Sequence, residues 1–108
     1  MVNSAQRFDV WLVELNPTQG SEINKRRPCL IVSPNELSQL ATVIIAPMTT
    51  KGFKIDSRVT VTFKGRSGLI ILDQIRTIDK SRLITKLGVI NPATQIQVCD
   101  VLEEMFIL

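Results

Sequence analysis

The chain reads as mainly β: a small twisted barrel with one C-terminal helix packed across it and short helical turns between strands. Three observations lead there. The apolar runs are short and end at proline or glycine, as in Leu30-Ile31-Val32 before Ser33-Pro34. Arg58 to Phe63 alternates strictly, with Val59, Val61 and Phe63 on one face and Arg58, Thr60 and Thr62 on the other. Near the C-terminus the period changes to that of a helix, with Val98, Val101, Leu102 and Met105 falling at i, i+3, i+4 and i+7. Short strands joined by glycine-bearing turns and closed by a helix make a small barrel.

Phe8 to Leu15 is the first expected strand, with Asp9 and Glu14 bounding its apolar middle and Asn16-Pro17 ending it. Gly20 to Arg26 is a polar loop. Pro28 to Val32 is a second, buried strand. Asn35 to Leu40 holds one short helical turn, and Thr42 to Ala46 is a third strand stopped by Pro47. Met48 to Asp56 is a second polar loop, containing Gly52. After the alternating strand, Lys64 to Gly68 reads as a turn with two glycines, and Leu69 to Ile75 as a central strand. Asp79 to Arg82 is a turn and Thr85 to Ile90 the last strand. Asn91 is a fitting N-cap with Pro92 at the first helical position. Cys99 and Phe106 widen the apolar stripe of the helix, and Asp100, Glu103 and Glu104 lie opposite. Its end, Glu104 to Leu108, is apolar and reads as packed.

The bulk numbers fit one domain over residues 1–108. A chain of this length buries roughly two-thirds of its unfolded surface. Apolar content of 44% and charged content of 21% exclude a disordered chain. The mean hydropathy of +0.19 points to a rich core and to an apolar face covered by another subunit. No apolar run approaches the roughly 20 residues that cross a bilayer. Arg7 and Asp9 stand where a signal peptide needs an apolar run, so the expected location is cytoplasmic, with no membrane role. Cys29 and Cys99 lack metal-site or disulfide spacing and read as two buried reduced thiols. Neither a metal nor a cofactor is expected.

The chain has no histidine, so acid-base or charge-stabilising chemistry must come from Arg, Lys, Asp, Glu, Ser or Thr. The most informative stretch is Asn16-Pro17-Thr18-Gln19-Gly20-Ser21-Glu22, followed by Arg26-Arg27-Pro28. It sets a carboxylate on a turn-rich loop close to a guanidinium at the start of a hydrophobic strand. That combination suits gripping a phosphate. Net charge is +3, a mild lean toward acidic partners. The cations are uneven: Lys25, Arg26, Arg27, Lys51, Lys54, Arg58, Lys64 and Arg66 face only Glu36 and Asp56 across the same stretch. If the two polar loops share one end of the barrel, they form a basic mouth. Phe53 is the one obvious stacking residue there. Read locally, Arg27 is a surface cation, Glu22 pairs with Lys25, and Thr49 and Thr50 bond to their own backbone.

Across nearly its whole length the chain resembles the MazF/PemK/Kid family of toxin endoribonucleases. The matching pieces are Asp9-Val10-Trp11, Asn16-Pro17-Thr18 with Gly20-Ser21-Glu22, Arg27-Pro28, Ala46-Pro47-Met48-Thr49 and Leu72 to Asp79, in order. The resemblance implies an SH3-like barrel, a homodimer, cleavage of single-stranded RNA at short sequences, and an antitoxin partner whose acidic, apolar tail fills the RNA groove. It makes Arg27 and Thr49 catalytic, with Glu22 contributing. Ser21, Lys25, Arg26, Thr50, Lys51, Phe53 and Lys54 on the two loops, with Gln74 and Arg76, are the expected RNA contacts. Many members carry Gly before the Asp of the first strand, where this chain has Phe8. One branch pairs that Asp-Gln carboxylate with an Arg two residues earlier as an acid-base couple. Ile71 stands there in this chain, so Asp73 is expected to be structural and paired with Arg76 or Arg82.

RNA carries its own nucleophile, the 2′-OH, so the expected reaction yields a 2′,3′-cyclic phosphate and a free 5′-OH. A guanidinium aligns and neutralises the phosphate, Thr49 donates a hydrogen bond, and Glu22 accepts the 2′-OH proton. Two other functions fit the same architecture. One is a gyrase poison acting through the helix end; the other is a non-catalytic barrel that binds nucleic acid or protein.

Overall fold

The computed structural model describes residues 4–107. Among them, seven strands precede one long helix: β1 (Asp9–Glu14), β2 (Arg26–Ile31), β3 (Thr42–Thr49), β4 (Arg58–Phe63), β5 (Arg66–Ile71), β6 (Arg76–Asp79), β7 (Leu83–Val89) and α1 (Pro92–Phe106). Short 3-10 turns occupy Asn35–Leu37, Leu72–Gln74 and Lys80–Arg82. The sheet is antiparallel in the order β4-β5-β3-β2-β1-β7, with β6 on β3.

β3 is the branch point. One edge carries β2, with Cys29 opposite Pro47 and Ile31 opposite Ile45. The other edge pairs with β6 from Thr42 to Ile45, then with β5 at Met48 and Thr49. This change of partner along one edge folds the sheet over itself into a half-barrel.

Alternation along each strand then gives two apolar faces. One face buries Val10, Leu30, Ala46, Met48, Val59, Val61 and Ile70 with Leu72 and Val98. The other buries Trp11, Val13, Cys29, Ile31, Val43 and Ile45 with Ile78 and Leu83. The helix covers the first face, packing on β4 and the Leu72–Gln74 turn through Val98, Val101, Leu102 and Met105. Its start is fixed by Asn91, whose Oδ1 accepts from the Thr94 N–H at 2.8 Å and the Thr94 hydroxyl at 3.0 Å. Such a cap stabilises a helix by about 1 kcal/mol.

The mainly β architecture closed by a C-terminal helix is as the sequence predicts, but several local expectations are corrected. Pro47 does not stop β3; it lies inside the strand. It is tolerated because Ala46 and Pro47 fall in the gap where β3 has left β6 and not yet met β5, so a missing N–H breaks no ladder on that edge. The turn after β4 is Lys64-Gly65 alone, with φ of 50° and 78°, the double positive φ that a two-residue hairpin requires. Arg66, Ser67 and Gly68 therefore belong to β5. The strand expected over Leu69 to Ile75 is interrupted by the Leu72–Gln74 turn, and the separate β6 runs on to Asp79. The helix end is not packed: Phe106 is 68% and Ile107 70% exposed, while Leu108 lies outside the described residues. Cys29 is buried but Cys99 only half-buried. Phe8 occupies φ +73°, a region that favours glycine. It is held there by its N–H to Ile31 O at 2.8 Å and by the Ile90 N–H to its own carbonyl at 3.2 Å.

Candidate functional site

Arg27 sits on β2 opposite Val13 of β1, and Thr49 closes β3. The β2–β3 register sets Cys29 against Pro47; two residues further on, it brings Arg27 alongside Thr49. Both side chains line one groove of about 270 Å³. Its floor is apolar, from Pro28, Met48, Val61 and Leu69, and its rim carries Thr50, Lys64 and Arg66. A cationic rim over an apolar floor suits a phosphate with an unstacked base beside it.

Local contacts orient the two central groups. Arg27 Nε donates to Asn24 O at 3.2 Å, which steadies one side of the guanidinium fork. Thr49 Oγ1 accepts from the Lys51 N–H at 3.1 Å. With its oxygen so engaged, the hydroxyl has its own proton to donate. Gly68 on β5 explains how β3 and β5 come this close here. A Cβ at that position would stand 2.6 Å from Thr49 O and 3.2 Å from Thr49 C.

Glu22, Gln74 and Arg76 are not in this groove. They line a second pocket of about 260 Å³ with Leu15, Pro47 and Asp73. Pro47 borders this pocket, while Met48 and Thr49 border the groove. Glu22 Oε1 accepts from the Gln19 N–H at 2.6 Å. Gln74 Oε1 accepts from the Ile23 N–H at 2.9 Å, and Arg76 Nη1 donates to Leu15 O at 3.2 Å. Both residues thus brace the first loop. Ser21, Lys25, Lys51, Phe53 and Lys54 are exposed on the two loops, while Arg26, also exposed, is the first residue of β2 and not part of the loop. Arg26 is paired with Glu14 at 3.3 Å.

Asp73 pairs with neither Arg76 nor Arg82. The latter donates to the backbone carbonyls of Glu14 and Asn16. The partner is Arg58, whose Nε and Nη2 reach Asp73 Oδ1 and Oδ2 at 3.0 and 3.2 Å. Arg58 lies directly opposite Ile71 in the β4–β5 ladder. The guanidinium absent from position 71 is therefore supplied from the next strand. The hydrogen bond from Arg58 holds the Asp73 carboxyl below the usual carboxylate range, against partial burial.

A depressed folded-state value stabilises the protein above the unfolded carboxyl's pKa, and that stability is lost as pH falls through the folded value. Asp73→Asn is therefore expected to flatten the decline in stability as urea melts are stepped from pH 7 down to about pH 3. Parallel decline in both proteins would show that the pair carries no acid sensitivity. The effect is modest, because the carboxylate is 31% exposed and screened by solvent.

Lys64, Arg66 and Gly68 also line the groove, and the sequence alone did not place them there. The two cations were visible only as part of the charge excess, because their position depends on the tight turn at Lys64-Gly65. Burial pushes the Cys29 thiol up to about 12, opposed by Arg76, which makes it an inert core group. Among the described residues no three His, Cys, Asp or Glu side chains gather as a metal ion would need. No described helix is long and apolar enough to cross a membrane.

The family described as PemK-like, MazF-like toxin of type II toxin–antitoxin system matches residues 6–106. Endoribonuclease MazF of Staphylococcus epidermidis is 33% identical over 105 residues, covering 91% of this chain and 88% of that protein. An endoribonuclease solved in complex with its cognate antitoxin, from a mycobacterial species, is 26% identical with a TM-score of 0.79, over 94% of this chain and 93% of that one. MazF from Deinococcus radiodurans superposes with a TM-score of 0.81 at 23% identity, over 94% of each chain, and speaks to the fold alone.

Proposed function

The chain belongs to the PemK-like, MazF-like toxin family of type II toxin–antitoxin systems, and from that premise we propose that this endoribonuclease cuts single-stranded RNA through attack by the RNA's own 2′-OH. The convergence of Arg27 and Thr49 on one groove is the observation that carries this reading. In-line attack places extra negative charge on the phosphate. The Arg27 fork grips two of its oxygens and neutralises that charge as it grows. At neutral pH a guanidinium gives up its proton poorly, so its role is electrostatic. Thr49, with its oxygen already engaged by the Lys51 N–H, donates a hydrogen bond to a phosphate oxygen. Lys64 and Arg66 on the rim hold the flanking phosphates. The 5′ oxygen leaves as its bond to phosphorus breaks and takes a proton from solvent water, so the products are a 2′,3′-cyclic phosphate and a 5′-OH, and no step asks for a metal.

Glu22, which lines the second pocket, is the proposed acceptor of the 2′-OH proton. Glu22→Gln is expected to slow turnover ~10²-fold and leave RNA affinity within about twofold. A parental single-turnover rate would remove it from the mechanism.

The chain acts as one toxin domain over residues 1–108 in the cytoplasm, where it stops growth by cutting transcripts. An antitoxin of the MazE type, with an acidic and apolar tail, fits the cationic rim and apolar floor of the groove. A homodimer is part of the same reading. Ile84 and Val89 on β7, and Ile96, Phe106 and Ile107 at α1, offer apolar surface for a second copy.

The test is to incubate purified protein with a long RNA in EDTA. Discrete cuts bearing 5′-OH ends support the proposal. Intact RNA with a stalled topoisomerase would identify a gyrase poison instead, and intact RNA with neither effect would leave a binding module.

A further inference from the structure

We propose that Phe53 is a pre-built stacking platform for an unpaired base of the RNA, held in place by the Arg58–Asp73 pair. The inference rests on the RNA-cleaving reading and adds a subsite to it. Phe53 lies on the loop between β3 and β4 and is 68% exposed. An aromatic ring that open on a loop would ordinarily move freely, yet several contacts fix this one. The Arg58 guanidinium lies 4.9 Å from the ring centroid. Its Nη1 also donates to the Phe53 carbonyl at 3.1 Å, so ring and main chain are tied to one group.

That group is itself anchored. Arg58 grips both Asp73 oxygens, and the Ser57 hydroxyl donates to Asp73 Oδ1 at 3.0 Å. The Arg58 N–H closes the loop onto Ile55 O at 2.9 Å. The loop is thereby pinned to the Leu72–Gln74 turn, and the open face of Phe53 is presented without further ordering cost on binding.

Phe53 is four positions along the chain from Thr49, a reach of at most about 14 Å. A base stacked on the ring thus belongs to a nucleotide close to the phosphate at Arg27. Stacking accepts any base, so the platform supplies grip and register rather than base identity.

The probe is a fully 2′-O-methylated single strand, which cannot be cut, with affinity read by fluorescence anisotropy. Phe53→Leu keeps bulk and charge but loses the ring, and is expected to weaken binding about tenfold. Its salt dependence should match the parent's, because no cation is removed. Phe53→Tyr should bind as the parent does. Asp73→Asn gives the sharper sign. Removing a negative charge near the loop should tighten RNA binding if charge alone matters, whereas loss of the clamp weakens it. Weakening by both Phe53→Leu and Asp73→Asn supports the platform. Parental affinity in Phe53→Leu, or tighter binding in Asp73→Asn, overturns it while the cleavage reading stands. A parental protein that neither binds nor cuts RNA overturns both.

Discussion

Arg27→Ala is expected to lower single-turnover RNA cleavage by ~10²–10³-fold, the usual loss when one preorganised donor to a developing anion is removed. The argument is local. The groove's other cations, Lys64 and Arg66, stand on the hairpin rim, while Arg27 shares the groove with the Thr49 hydroxyl from an adjacent strand. Stability should change little, because among the described residues the side chain's bond is Nε to Asn24 O on a half-exposed strand end. Arg27→Lys separates charge from shape. It keeps the cation but loses the bidentate fork, so it should recover only part of the rate. Rate assays at saturating RNA, with thermal melts on the same samples, check both points. An Arg27→Ala protein that cuts at the parental rate would take this residue out of the mechanism.

Gly68→Ala should disable the site from beneath it. Its added methyl would meet Thr49 O at 2.6 Å and Thr50 Cα at 3.5 Å, both of them backbone atoms that cannot rotate away. β3 must therefore shift on the order of 1 Å, enough to cost ~10²-fold in rate when it displaces a positioned donor. The overpacking should also cost about 1–3 kcal/mol of stability. Gly65→Ala is the matched control. Gly65 has φ +78° and open space around it, so alanine there is strained by about 1–2 kcal/mol without touching Thr49. Both variants should melt earlier, but only Gly68→Ala should lose its rate when assayed well below its melting temperature. Equal rates in the two would mean that Gly68 serves stability alone.

The contrast between these two glycines shows what the sequence made legible. Period-2 alternation in Arg58 to Phe63 and the helical stripe from Val98 to Met105 report their own burial, so strands and helix were readable locally. Arg27 and Thr49 were singled out only by the family resemblance, since read locally they are a surface cation and a loop residue. Strand neighbours were not readable. Reading Lys64 to Gly68 as one long turn hid the register that sets Arg58 opposite Ile71 and within reach of Asp73. It also hid Gly68 against Thr49 and placed Lys64 and Arg66 nowhere in particular. Pro47 misled for a related reason: a proline ends a strand only where its N–H is needed, and the partner switch along β3 removes that need. β6 is four residues long with only Ile78 buried, too short to show a period.

The most direct test of the mechanism uses a short RNA containing one mapped cleavage site and its counterpart with a single 2′-deoxyribose immediately 5′ to the scissile phosphate. If the groove works by letting the RNA attack itself, the substituted strand is bound with near-parental affinity and left uncut there. Cleavage of the 2′-deoxy strand at the same bond would mean that the protein, or water it activates, supplies the nucleophile, and would contradict the account.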